Sequence, residues 1–172
     1  MNKILNLQHA DAMKHFRLPR YAQIPTVGLY LEQTTKYINQ AVSPLGCAEL
    51  TGSMVSNYVK KGIVSRPQKK LYDEDLIAHL MVITLLKNIL SIEEIHTLFC
   101  MQEGVYSNEM AYDYFCAELE NMLLYVFGLR EELAHIGVTE SAEKAVLRSA
   151  IISLSHRIYL HHCFRSVEGK HV

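Results

Sequence analysis

Apolar residues recur at spacings of three and four along most of the chain, the signature of helices that bury one face. The strongest such segment is 73–90. There Leu76, Ile77, Leu80, Met81, Ile83, Leu86, Ile89 and Leu90 cover more than half of a helix circumference, which predicts a central core helix with Asp73 as its cap. Residues 29–42 place Leu31, Thr35, Ile38 and Val42 at helical spacing, and Ser43-Pro44-Leu45-Gly46 ends that run. A shorter helix is expected over 54–61, capped by Thr51 or Ser53, with Val55 and Val59 inward and Gly62 as its left-handed terminator. Ser91-Ile92-Glu93-Glu94 has the form of a capping box for a helix through Phe99. After a break at 104–107, helices are predicted over 108–127 and 141–165, joined by a connection at 128–139. The last carries Leu147, Ile151, Leu154 and Ile158 on one stripe, with Ile152, Tyr159 and Cys163 beside it. Residues 1–28 show weak periodicity, and Pro19 and Pro25 predict an extended strap over 18–25. Residues 63–72, β-branched and then alternating around Pro67, predict a minimal two-stranded wing.

Charge divides the chain in a way the net value of -1 conceals. Between 51 and 71 stand Lys60, Lys61, Arg66, Lys69 and Lys70 with no acid, whereas from 88 to 143 Arg130 faces eleven Asp and Glu residues. That asymmetry points to a nucleic-acid-facing module joined to a solubilising or partner-binding one. The expected organisation is a strap over 1–28, a winged helix-turn-helix over 29–103 and a helical lobe over 104–172. At 172 residues and 49% hydrophobic composition the chain can bury a real core, which excludes disorder as its main state. The longest apolar run, 80–86, is far too short for a bilayer, and no signal-peptide pattern opens the chain, so the cytoplasm is the expected location. Cys47, Cys100, Cys116 and Cys163 form no C-x-x-C pair and are expected as free, buried thiols. His156, His161, His162 and Cys163 cluster in sequence, but adjacent helical residues point about 100° apart, which disfavours a tetrahedral metal site. The glycines never form a phosphate loop and no hydrolase or zinc-protease motif occurs, so neither catalysis nor a cofactor is expected.

A helix ending K-K-G-I-V, a Pro-containing turn, Y-D-E-D-L and a long apolar helix closed by L-S-I-E-E-I resemble the winged helix-turn-helix of MerR-class bacterial transcription regulators. R-L-P-R-Y at Arg17, V-G-L-Y-L-E-Q at Val27 and M-V-S-N-Y-V-K-K-G at Met54 are similar to an uncharacterised bacterial family, domain of unknown function 1836. The resemblance implies a mainly α fold with a MerR-like head, whose 54–61 helix enters the major groove of double-stranded DNA while 65–70 lie on the backbone or minor groove. The candidate DNA-binding residues are then Ser53, Ser56, Asn57, Tyr58, Lys60, Lys61, Arg66, Lys69 and Lys70. Ser and Asn can address base edges, and the cations neutralise phosphates. Tyr72 is expected to cover the apolar hinge. The cysteine-rich loop of metal-sensing relatives is absent, and no effector is implied. The competing expectation is an adaptor whose basic edge meets an acidic protein. A homodimer is expected through 141–165, aided by 108–127, because two apolar stripes exceed what one packing face consumes.

Overall fold

α4 (Glu74–Leu86) organises the molecule. Asp73 Oδ1 accepts the Leu76 N–H at 3.0 Å, Glu74 and Asp75 occupy the positive first turn, and every residue from Leu80 to Leu86 is buried. The helix stops short of Leu90 because the Asn88 side-chain amide donates to the Thr84 and Leu85 carbonyls, satisfying the last turn. The computed structural model describes residues 7–137 and 141–168. Its other helices are α1 (Leu7–His15), α2 (Leu31–Val42), α3 (Gly52–Lys60), α5 (Ile92–Gln102), α6 (Asn108–Val126) and α7 (Ala142–Glu168). α4 packs against α2, α5, α6 and α7, and α7 lies along α6. One cluster of buried side chains runs from Met13 on α1 through α4 to Ile158 on α7.

The mainly α expectation holds, but the two-stranded wing does not form. Among the described residues there is no strand, only the isolated bridges Gln68–Leu71 and Leu29–Tyr72. Pro67 offers no N–H, the Tyr72 N–H and carbonyl are both engaged by Leu29 at 2.8 and 2.9 Å, and the α4 cap follows at once. No chain is left for a returning strand. Gly28 makes this pairing possible: its φ is +71°, and a Cβ there would stand 3.1 Å from the Leu71 Cβ.

Residues 7–15, within the expected strap over 1–28, form α1, which buries Met13; Phe16, just beyond it, is buried as well. Within the expected strap, Arg20 and Tyr21 are turned inward. Glu120, on α6 and 8% exposed, accepts Arg20 Nη1 and Nη2 at 2.7 Å each and the Leu18 N–H at 2.9 Å, with Arg17 Nε at 3.8 Å. This pairing holds the Arg20 guanidinium pKa above its ordinary value, against the opposing effect of burial. The Tyr21 hydroxyl donates to Asp75 at 2.7 Å, and the Tyr21 N–H to Asp113 at 2.8 Å. Part of the acid excess over 88–143 is therefore internal. Glu118, 1% exposed, likewise accepts Arg148 Nε at 2.8 Å across α6 and α7.

Candidate nucleic-acid interface

α3 starts at Thr51, whose hydroxyl accepts the Met54 N–H at 3.3 Å. It ends in a Schellman motif: the Gly62 N–H reaches Val59 O at 3.1 Å, the Ile63 N–H reaches Tyr58 O at 2.9 Å, and Gly62 takes φ +73°. Half-buried Ile63 then packs on the core and directs the chain away from the helix. Lys87, just beyond α4, donates to Glu49 O at 2.8 Å and braces the entry to α3; desolvation lowers its pKa. Asn39 of α2 clamps the same entry, exchanging hydrogen bonds with the Leu50 carbonyl and N–H at 2.9 and 2.8 Å. The α2–α3 connection, residues 43–51, is longer than the roughly three- to four-residue turn typical of helix-turn-helix motifs.

Ser53, Ser56, Asn57 and Lys60 are all exposed, and their i, i+3, i+4, i+7 spacing sets them on a single outward stripe of α3. The Ser56 hydroxyl donates to Gly52 O at 2.9 Å and keeps its oxygen as an acceptor. Tyr58 does not belong to this stripe. It is 8% exposed and, with Val55, faces the core, so it is withdrawn from the candidate DNA-binding residues. The spacing of three between Val55 and Tyr58 was the available signal. Tyr72 is buried, as expected for a hinge cover.

Beyond Gly62, Gln68-Lys69-Lys70-Leu71 makes a tight turn closed by the Leu71 N–H on Gln68 O at 2.8 Å. Lys69 and Lys70 have φ of 49° and 66°, the left-handed pair of a type I′ turn, which Asn-Gly normally fills. A lysine in that region costs about 1–2 kcal/mol. Strain of this kind concentrates at functional positions, and here it holds two exposed ammonium groups on a turn tip. Lys61 pairs with Glu93 of α5 at 3.5 Å. Lys60, Arg66, Lys69 and Lys70 are exposed and form no ion pair among the described residues.

Elsewhere the side chains are quieter chemically. Burial pushes the Cys47 thiol up to about 11 and the Cys116 thiol to about 12, while Cys100 is exposed, contrary to expectation. His156 is exposed, whereas His162 is buried edge-on to Phe127, so the histidines of α7 diverge. Among the described residues no three His, Cys, Asp or Glu side chains are placed to hold a metal ion, and no helix is long and apolar enough to cross a membrane.

The sequence matches a family described as Domain of unknown function (DUF1836) over residues 19–115, more than half of the chain. That span takes in α2 to α5, the lysine turn and the first part of α6. No curated protein and no solved structure matches the chain.

Proposed function

The chain belongs to the DUF1836 family, and we propose that it binds double-stranded DNA as a transcriptional regulator, with the outward stripe of α3 in the major groove and the Lys69-Lys70 turn on the phosphate backbone. The observation that carries this proposal is the stripe itself: Ser53, Ser56, Asn57 and Lys60 share one exposed face, and a strained, cationic turn follows directly in the chain. Asn57 can pair bidentately with adenine, while Lys60, Arg66, Lys69 and Lys70 serve as phosphate partners. From the resemblance to MerR-class regulators the proposal takes only the placement of α3, and no wing is involved. Replacing Lys69-Lys70 by Asn-Gly tests the assignment without disturbing the turn, since that pair favours the left-handed conformation. Unfolding free energy should rise by about 1 kcal/mol as strain is relieved. The slope of log Kobs against log salt should flatten by about 1 to 2 units for duplex DNA. A slope unchanged in a stabilised protein would take the turn out of the interface.

We also propose that a homodimer presents two such heads. Near its C-terminal end α7 shows solvent an apolar patch, Leu160, Phe164 and Val167 at spacings of four and three, turned away from the side chains it buries, and Phe164 is 59% exposed. A two-fold dimer burying this patch would set α3 helices on symmetric half-sites. By light scattering, the expected mass is twice the 19.7 kDa of the chain, and Phe164→Glu should halve it while helical content is kept. A mass of one chain for the unaltered protein at micromolar concentration rejects the dimer.

A further inference from the structure

Between α4, α5, α6 and α7 lies a partly open cavity of about 190 Å³. Protein interiors leave few voids larger than a water molecule, and an apolar cavity of about 150 Å³ suffices to hold benzene. Its floor is aliphatic, with Val82 and Leu86 of α4 and Leu147 of α7. Phe99, Tyr106, Tyr114 and Phe115 supply an aromatic surround. The Gln102 amide, also in the lining, is already committed, donating to Tyr106 O at 2.9 Å and Asn108 Oδ1 at 3.3 Å. Glu143 and Lys144 bring one charge of each sign, and the Lys144 ammonium stands over the Tyr106 and Tyr114 rings at 5.9 and 5.2 Å. Together they select neither an anion nor a cation.

His79 differs from the rest of the lining. Its ring leans on Phe99, centroids 4.7 Å apart, and it makes no hydrogen bond to another side chain or backbone group among the described residues. Desolvation lowers its pKa despite the nearby Asp75 and Asp73, which keeps the imidazole neutral near pH 7, one nitrogen a donor and the other an acceptor.

We infer that this cavity is a binding site for a small neutral ring compound, one or two fused rings in size, bearing one hydrogen-bonding group that meets the His79 imidazole. Apolar walls supply the affinity and the single polar contact fixes orientation, the usual division of labour in small-molecule sites. The inference stands independently of DNA binding.

Indole, with two fused rings and one N–H, is a suitable probe, and toluene, of similar shape but without a polar group, its control. Calorimetric titration of the full chain should show saturable one-to-one binding of indole with a dissociation constant at or below about 1 mM. Ala111→Leu, which fills the cavity from α6, should weaken it at least about tenfold. Should that variant fail to fold, Leu147→Phe fills the space from α7 and decides the same point. His79→Leu should weaken indole several-fold and leave toluene nearly unaffected. No saturable binding up to the solubility limit of indole, or equal affinity in the filled variant, overturns the site. Equal losses for both probes in His79→Leu overturn the assigned polar contact.

Discussion

Replacing Leu154 by Glu should unfold the protein outright. Leu154 is fully buried on the face of α7 that packs on α6, beside Ile151 and Ile158. The substitution removes a packed aliphatic group and buries a carboxyl within the hydrophobic cluster. Each loss alone costs about 2–5 kcal/mol, and together they approach the about 5–15 kcal/mol by which domains are stable at all. Circular dichroism should show helical signal lost or greatly reduced at 25 °C, and aggregation is the expected fate of the chain. Phe164→Glu, ten residues on and at an exposed position, should keep its helices. A folded Leu154→Glu protein would show that α7 is not packed as described. The contrast also revises the dimer seam expected from sequence. Ile151 and Leu154, on the first of the two stripes within 141–165, belong to the protomer's own core, and the outward patch is the one through Leu160 and Phe164.

Glu120→Gln should be the next most damaging change, at about 2–4 kcal/mol. The carboxylate is 8% exposed and receives three hydrogen bonds: two from the Arg20 guanidinium and one from the Leu18 N–H. A glutamine must turn its NH2 toward one of these donors, so that a contact is lost and Arg20 is left short of a counter-charge. Arg20 remains one-third exposed, and water solvating its guanidinium keeps the cost below that of a fully buried pair. Urea denaturation should record the loss as a lower midpoint with unchanged m-value. Combining Glu120→Leu with Arg20→Met should recover much of it, since removing both charges leaves nothing unpaired. A loss below about 0.5 kcal/mol for Glu120→Gln would mean that the strap is not held by this contact.

These two sites show where the sequence was informative and where it was not. Local chemistry was legible: the caps at Thr51, Asp73 and Ser91 each accept the expected N–H, at 3.3, 3.0 and 3.2 Å, and Gly62 takes the left-handed terminator. The density of apolar positions in α4 marked the core helix. Periodicity also defined the α3 stripe, except that Tyr58, a DNA-binding candidate, is buried, as its place three residues after Val55 indicates. What escaped depends on partners distant in sequence. Arg20 finds Glu120 a hundred positions away, and Tyr72 takes its hydrogen bonds from Leu29, which abolishes a wing that alternation alone supported. α1 escaped because the apolar residues buried at and just after its end, Met13 and Phe16, are too few to set a period. The cavity beside His79 is a property of four helices together, and no local pattern announces it.

The most direct test of the account is a titration of the full chain against random-sequence duplex DNA at two salt concentrations, read by fluorescence anisotropy. With Lys60, Arg66, Lys69 and Lys70 outside any ion pair among the described residues, about four phosphates should be neutralised per head. A log–log slope of about -3 to -4 follows, so affinity should fall about a hundredfold between about 50 and about 200 mM salt. Absence of binding at the lower concentration, or an affinity indifferent to salt, would contradict the account and leave the basic edge to an acidic protein partner.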